Sequence, residues 1–250
     1  MIIRLKDGSE KEYAQPMSVL DIAKDIADGL VVCKSALHRF GTDAVLLAEF
    51  SGYRKKDRVC DLGTGCGIIP MLMQRTDAPA EIYGVDIQPE AIAQMQQGIA
   101  RSTQIHSVLH PICADLKTLW DGAPLGQLDL VTCNPPYKAW QAGIESQVTA
   151  QKIARHEILC NIYDICGAAK KLLKFSGRLC ICNRPERLAD CIDAMRQNGI
   201  EPKRLQFVAK SGDAQPWLFL LEGRSGGKPF LNVLPTRIIA DGNAVTTRIP

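Results

Sequence analysis

The 250-residue sequence has no apolar run that approaches the roughly 20 residues needed for a membrane-spanning helix. The stretch from Met1 to Asp7 is too short and too charged to serve as the apolar segment of a secretion signal. There is also no internal repeat and no low-complexity segment. We therefore expect a globular protein of the cytoplasm, with no membrane partner.

The ten cysteines are not spaced for a metal site, because no two of them form a Cys-x-x-Cys motif. The nearest pair is Cys180 and Cys182, whose side chains would share one face of a strand. Cys60 and Cys133 lie within apolar runs. We interpret the cysteines as small buried hydrophobic residues in a reducing compartment, and we expect no bound metal.

The charges are distributed unevenly along the chain, although the net charge is only +3. Residues 151–250 contain 16 Lys and Arg and 9 Asp and Glu, a net +7, whereas residues 1–150 contain 14 and 18, a net −4. A basic C-terminal half favours a phosphate-bearing partner such as structured RNA. Ordinary solvated faces would produce the same counts, so the charge alone leaves both interpretations open.

Residues 1–28 are predicted to form a small appendage to a main domain at residues 29–250. An alternating strand, an Asp7-Gly8 turn and a returning strand predict a β-hairpin, and Ser18 is predicted to cap a short helix. Residues 5–9 (LKDGS) and 18–26 (SVLDIAKDI) resemble the first half of the TGS domain of threonyl-tRNA synthetases. The resemblance implies an RNA-contacting appendage, and an inert hairpin and helix packed on the main domain is the alternative.

The main domain alternates strand and helix patterns, which is typical of an α/β fold with a doubly wound, mostly parallel sheet. Apolar runs predict about seven strands, at residues 58–61, 82–87, 108–113, 128–133, 178–182, 202–209 and 217–222. The last two are expected to form an antiparallel C-terminal hairpin. Further predictions are a short strand at 30–33, a helix capped by Thr42 or Asp43, a long helix at 152–174, and little regular structure after residue 223.

A glycine-rich turn, Asp61-Leu62-Gly63-Thr64-Gly65-Cys66-Gly67, follows the strand at residues 58–61. Glycines let the backbone approach a ligand closely, and similar turns open NAD-binding folds. Two features argue against NAD: the spacing is not Gly-x-Gly-x-x-Gly, and Asp61 would repel a pyrophosphate while attracting an ammonium group. The turn therefore points to S-adenosylmethionine, whose methionine part carries an amine and whose sulfur is cationic.

Acidic residues also follow the next two strands. Asp86 lies at the end of the second strand, where a carboxylate can accept hydrogen bonds from ribose hydroxyls. Asp115 follows the third strand and is suited to accept a hydrogen bond from an adenine amino group. A single Asp in such a place could be a helix cap, but three in succession favour a nucleoside cofactor.

The tetrapeptide Asn134-Pro135-Pro136-Tyr137 ends the strand at residues 128–133. Because consecutive prolines cannot continue a sheet, they predict a stiff turn at the carboxyl edge, where open α/β sheets bind their ligands. The amide oxygen of Asn134 and the carbonyl of Pro135 can accept both N–H bonds of an exocyclic amine, while Tyr137 stacks on its ring. The alternative is a loop cap with a surface tyrosine.

Combined with the glycine turn, this motif resembles the class I S-adenosylmethionine-dependent methyltransferases that methylate amino groups, which have a Rossmann-like fold. Seven segments in order narrow the resemblance to the bacterial tRNA1(Val) adenine-37 N6-methyltransferase family. They are residues 39–48 (RFGTDAVLLA), 61–67 (DLGTGCG), 134–137 (NPPY), 154–157 (ARHE), 184–188 (RPERL), 201–205 (EPKRL) and 226–229 (GGKP).

The resemblance implies a role for each matching residue. The cofactor would be held by Phe40, Thr42, Asp43, Asp61, Gly63, Gly65, Asp86, Ile87, Asp115, Leu116 and Asn134, with the first three at its methionine end. The catalytic residues would be Asn134, Pro135 and Tyr137, which hold the adenine while its N6 displaces the methyl group directly. From its charge, the basic C-terminal half would bind RNA phosphates, and surface solubility is the alternative for any single residue of this set: Lys170, Lys171, Arg184, Arg187, Lys203 and Arg204.

Other functions remain open at this point. The Asn-Pro-Pro-Tyr motif also serves enzymes that methylate a glutamine amide in release factors, and related turns serve guanine-N2 and DNA-adenine enzymes. A non-catalytic RNA-binding module is a further alternative, although intact Asp61 and Asn134 argue against it. Arg155, His156 and Glu157 could face the substrate or form a structural ion pair.

Overall fold

The computed structural model describes residues 29–33, 41–75, 77–135 and 160–239, together with the backbone of residues 2–4 and 10–12. Its strands are β1 (Ile2–Arg4), β2 (Glu10–Glu12), β3 (Arg58–Leu62), β4 (Glu81–Asp86), β5 (Val108–Cys113), β6 (Leu128–Cys133), β7 (Leu173–Asn183), β8 (Ile200–Ala209), β9 (Leu218–Ser225) and β10 (Asn232–Ile238). Its α-helices are α1 (Thr42–Phe50), α2 (Ile68–Leu72), α3 (Pro89–Arg101), α4 (Ile162–Leu172) and α5 (Leu188–Gln197), and a short 3₁₀ turn (Pro185–Arg187) precedes α5.

Eight strands form the main sheet in the order β10-β8-β9-β7-β6-β3-β4-β5. The strands from β7 to β5 in this order run parallel, while β9 is antiparallel to both β7 and β8. The predicted α/β class, the mostly parallel sheet and the antiparallel C-terminal hairpin are therefore confirmed. Strands β4 and β5 lie on one side of β3, and β6 and β7 lie on the other, so the chain order changes direction beside β3. Open α/β sheets form a ligand crevice at such a point.

Helices cover both faces of the sheet, which explains why its central strands are apolar on both faces. Helices α1 and α2 pack on one face against β3, β7 and β9 through a cluster that includes Leu46, Ile69 and Cys180. Helices α4 and α5 pack on the other face through a second cluster that includes Leu172 and Met195. No helix within the described ranges has the length and apolarity that a membrane crossing requires.

The sheet contains one strand more than the sequence predicted. Residues 232–238 form β10, which pairs in parallel with β8 at the sheet edge, although this segment was expected to have little regular structure. Pro235 interrupts the pairing between Leu234 and Arg237, and most side chains of β10 are exposed. An edge strand tolerates proline and needs no alternating pattern, so β10 carries no sequence signature.

The predicted strand at residues 30–33 is wrong, because this segment has no regular structure. Its backbone bonds instead to the end of α3: the Val31 N–H donates to Ser102 Oγ at 2.8 Å, and the Thr103 N–H donates to the Gly29 carbonyl at 3.0 Å. A side chain at Gly98 would collide with the Val31 carbonyl oxygen, so this glycine lets the segment lie against α3. Contacts across about 70 residues decided this conformation.

The predicted long helix at residues 152–174 is wrong at residues 160 and 161, which are not helical, and at residues 173 and 174, which belong to a strand. Helix α4 begins at Ile162, because Asn161 caps it and exchanges hydrogen bonds with Asp164 in a capping box. It ends at Leu172, and β7 starts at the next residue. The predicted start at residue 152 lies outside the described residues.

The N-terminal hairpin is confirmed at the level of strand pairing. Strands β1 and β2 are antiparallel, with Ile2 opposite Glu12 and Arg4 opposite Glu10. The boundary at residue 28, which would make residues 1–28 a separate unit, stays a prediction.

Candidate active site

The candidate site lies where the carboxyl ends of three neighbouring parallel strands meet. Strand β3 is flanked by β4 and β6, and Leu62 at the end of β3 pairs with Val85 on one side and Cys133 on the other. The next residue in each strand direction is Gly63 of the glycine turn, Asp86 and Asn134, respectively. The sheet thus brings together at one edge three of the segments that the sequence singled out.

Asp61 is almost completely buried near the end of β3. The hydroxyl of Thr132 donates a hydrogen bond of 2.6 Å to Asp61 Oδ1. The other oxygen, Oδ2, has no hydrogen-bond partner with acceptable geometry in the described part of the chain. Burial raises the pKa of Asp61 to about 7, the hydroxyls of Thr132 and the nearby Thr64 oppose the increase, and Asp86 adds to it. A buried carboxylate oxygen without a donor is costly unless a bound ligand supplies one.

The glycine turn offers space beside this carboxylate. Gly63, Gly65 and Gly67 all have positive φ angles, of 68°, 56° and 79°. A Cβ atom added at Gly63 or Gly65 would meet nothing within 4 Å, whereas one at Gly67 would collide with Met95. Gly67 is therefore required for packing against α3, and the other two glycines leave an open cradle for a ligand.

Asp86 holds the glycine turn in place. Its Oδ2 accepts a hydrogen bond of 2.9 Å from the Gly65 N–H, and its Oδ1 accepts one of 2.9 Å from the Gln88 N–H. Each carboxylate oxygen retains a second lone pair for a ligand hydroxyl. The structure thus gives Asp86 a positioning role that the sequence did not predict, and its predicted role as the ribose acceptor stays a prediction.

Asn134 is half-buried and contacts two elements that are distant in sequence. Its Nδ2 donates to Asp43 Oδ2 at 3.3 Å, and its Oδ1 accepts a hydrogen bond from the Cys182 thiol at 3.2 Å. Thr42 and Asp43 lie in the first turn of α1, but neither side chain caps the helix as predicted, and Gly41 occupies the N-cap position. The Asp43 carboxylate points to Asn134 instead.

The remaining predicted cofactor residues lie after β4 and β5. Ile87 follows β4 and is 44% exposed, which leaves its side chain available to cover a ligand. Asp115 Oδ1 accepts a hydrogen bond from the Lys117 N–H at 2.9 Å, an arrangement that stabilises the turn after β5. Leu116 packs against the hydrophobic core. Their contacts with a cofactor stay predictions.

Several predicted residues lie outside the described part of the chain. They are Phe40, Pro136, Tyr137, Arg155, His156 and Glu157. Pro135 is described and follows Asn134 without regular structure. The roles assigned to Tyr137 and Phe40 therefore stay predictions.

Sequence reasoning missed two residues of this site, Thr132 and Cys182. Thr132 is a completely buried polar residue within the apolar run of β6, and buried polar groups require a partner. That isolated threonine was a usable signal. Cys182 was interpreted as a core hydrophobic residue, which is correct for its burial but overlooks its thiol donor.

These features together define an S-adenosylmethionine-dependent methyltransferase. Residues 53–219 match the family model described as "Methyltransferase domain". A relative from Parabacteroides distasonis named tRNA1(Val) (adenine(37)-N6)-methyltransferase is 30% identical over 187 residues, which cover 74% of this chain and 76% of the relative. The chain therefore belongs to the methyltransferase family of tRNA1(Val) (adenine(37)-N6)-methyltransferases, as its motifs indicated.

Other similarities are shorter or structural. A relative of the same name from Erwinia tasmaniensis is 32% identical over 144 residues, which span only 57% of either chain. The crystal structure of a "predicted O-methyltransferase" from Agrobacterium tumefaciens superposes with a TM-score of 0.62 at 18% identity, and the match covers 82% of this chain and 92% of that one. At this identity the superposition supports the fold alone.

The site fits the cofactor of this class. The unpartnered Asp61 oxygen is suited to an ammonium group, and the open space at Gly63 and Gly65 is suited to the body of a ligand that approaches the backbone. The predicted cofactor, S-adenosylmethionine, is thus supported by the family and by the geometry of the turn.

Proposed function

We propose that this protein methylates the N6 amine of an adenine in tRNA, with an anticodon-loop adenine as its target. The observation that carries the proposal is the placement of Asn134 at the same sheet edge as Asp61 and the glycine turn. The relatives named for tRNA1(Val) adenine-37 support the choice of substrate.

Each residue has a distinct task in this proposal. S-adenosylmethionine supplies a methyl group on a cationic sulfur. Asp61 accepts from the ammonium group, and the glycine turn lets the backbone approach the ligand. Asn134 Oδ1 and the Pro135 carbonyl accept the two N–H bonds of the amine and keep its lone pair available for attack. These residues work by positioning and hydrogen bonding, and no strong base is required.

The RNA would approach over the basic C-terminal half. Arg204 is a poor residue for testing this contact, because its guanidinium already binds within the protein. It donates to Glu222 Oε2 at 2.6 and 2.9 Å and to the Phe50 carbonyl at 2.8 Å. Reversing the charge of Arg204 would therefore disturb the fold. Lys171 is exposed in the last turn of α4, and it is the better residue for testing contact with phosphates.

The substrate is tested by supplying labelled S-adenosylmethionine with total tRNA, ribosomal RNA or release factor in separate reactions. We expect label in tRNA, and nucleoside analysis should identify N6-methyladenosine. Label only in release factor would support the glutamine-methylating alternative and refute the tRNA proposal. Cofactor binding without transfer to any of the substrates would favour the non-catalytic RNA-binding module.

The state of the cysteines bears on the cellular compartment of the protein. All ten cysteines are free thiols, and six of them lie in the buried cores on either side of the sheet: Cys60, Cys133, Cys166, Cys180, Cys182 and Cys191. Free thiols in such number are typical of a reducing compartment. We place the protein in the cytoplasm together with its tRNA substrate.

A further inference from the structure

Asn134 is held from two sides by side chains of opposite hydrogen-bonding character. Its Nδ2 donates to Asp43 Oδ2 at 3.3 Å, and the Cys182 thiol donates to its Oδ1 at 3.2 Å. Asp43 belongs to α1 and Cys182 to β7, at separations of 91 and 48 residues along the chain. The amide at the end of β6 is therefore clamped between two other elements of the fold.

The chemistry of the two partners selects one orientation of the amide. An ionised carboxylate only accepts hydrogen bonds, so it requires the NH₂ end, whereas a thiol that donates requires the oxygen. Rotating the amide by 180° would set the Asn134 oxygen against the Asp43 carboxylate. The Asp43 charge also polarises the amide, which makes Oδ1 a stronger acceptor for an amine that becomes positive during methylation.

The position of Asp43 is itself built into the fold. Gly41 has ordinary extended backbone, so its φ angle does not require glycine. A Cβ atom at Gly41 would instead lie 2.6 Å from Asp43 Oδ1. The glycine thus makes room for the carboxylate to turn away from the helix terminus and toward Asn134.

We propose that Asp43 and Cys182 are positioning residues that orient the Asn134 amide so that its oxygen faces the amine of the substrate. A thiol is a weak donor, so its bond orients Oδ1 without competing strongly with the amine N–H. This inference rests on the proposed function of Asn134. It gives Asp43 a role distinct from the predicted contact with the methionine end of the cofactor.

The experiment compares Asp43→Ala and Cys182→Ala with Asn134→Ala and the wild type. We expect kcat to fall about 10- to 100-fold for Asp43→Ala and roughly three- to tenfold for Cys182→Ala, with unchanged cofactor affinity by calorimetry. Cys182→Ser keeps a donor and should restore kcat. Cys180→Ala is the matched control, because Cys180 is equally buried on the same strand and in the same hydrophobic cluster, two residues before Cys182.

A double variant separates positioning from direct action. If Asp43 acts through Asn134, then Asp43→Ala adds no further loss in an Asn134→Ala background. Additive losses, or an equal loss of cofactor affinity in Asp43→Ala, would overturn the inference and return Asp43 to the cofactor site. Wild-type kcat in Asp43→Ala and Cys182→Ala beside a strongly reduced but measurable kcat in Asn134→Ala would overturn the inference alone, whereas wild-type kcat in Asn134→Ala would overturn the proposed function.

Discussion

The Thr132 hydroxyl donates a hydrogen bond of 2.6 Å to Asp61 Oδ1, and this bond joins the carboxyl ends of β6 and β3. It fixes which carboxylate oxygen is satisfied within the protein and leaves Oδ2 without a hydrogen-bond partner in the described residues. In the free protein, the described residues thus provide a hydrogen-bond donor for only one of the two oxygens of this buried carboxyl group. We expect that group to reduce stability and to promote cofactor binding.

Asp61→Asn should separate these two effects. Because the pKa of Asp61 is raised to about 7, the folded protein at pH 8 carries a buried charge that asparagine would remove. We expect the free variant to be more stable at pH 8, by up to about 4 kcal/mol, and to lose cofactor binding. Thermal unfolding with and without S-adenosylmethionine measures both. A lower melting temperature for the free variant would contradict the prediction.

The pH should control cofactor affinity through the same group. An ammonium group favours the ionised form of Asp61, so a proton must leave when the cofactor binds at a pH below about 7. We expect affinity to be about tenfold weaker at pH 6 than at pH 8 and to level off above pH 8. Calorimetry in buffers of different ionisation enthalpy should also detect the released proton. An affinity independent of pH would refute this assignment.

The free protein should show the opposite trend in stability. The pKa of Asp61 in the folded protein is above its usual value. Its contribution to the free energy of unfolding is therefore most favourable at low pH and falls as the pH rises from about 4 to about 7. Urea unfolding at several pH values measures the trend. The decrease in the free energy of unfolding that Asp61 causes as the pH rises should be absent in Asp61→Asn, which serves as the control.

Gly65→Ala and Gly122→Ala form a matched pair for testing the cradle. Both glycines have positive φ, of 56° and 77°, and a Cβ atom at either would meet nothing within 4 Å. Each alanine should therefore cost about 1 kcal/mol of stability through backbone strain. Only Gly65→Ala should weaken cofactor binding, because its methyl group would occupy the ligand space. Equal cofactor affinities in the two variants would show that Gly65 does not line the cofactor site.

Arg178→Ala should destabilise the fold. The Arg178 guanidinium donates to Asp57 Oδ2 at 2.9 Å and to the Ser51 carbonyl at 2.6 Å, and both partners of the ion pair are largely buried. Removing one partner of such a pair costs about 3–5 kcal/mol. Arg196→Ala breaks the more exposed pair with Glu201 and should cost at most about 1 kcal/mol. Denaturant unfolding of both variants checks the ranking.

Much of the fold could be predicted because its signals are local. The ends of β3, β4 and β6 are marked by the glycine turn, by Asp86 and by the proline pair, respectively. The start of α3 is marked by Pro89 at its first helical position. The failures occur where local signals are weak, as in β10, an exposed edge strand that contains Pro235.

The sequence by itself determined the α/β class, the glycine turn and the residues with suitable chemistry, because burial patterns and backbone preferences depend on near neighbours. Only the tertiary structure decided that Asn134 meets Asp43 and Cys182, and that Thr132 satisfies one oxygen of Asp61 and not the other. Such contacts depend on which strands become neighbours in the sheet. The strand order and the packing of α1 bring together side chains 48 to 91 residues apart, and the partner of each hydrogen bond cannot be identified from the residues that lie near it along the chain.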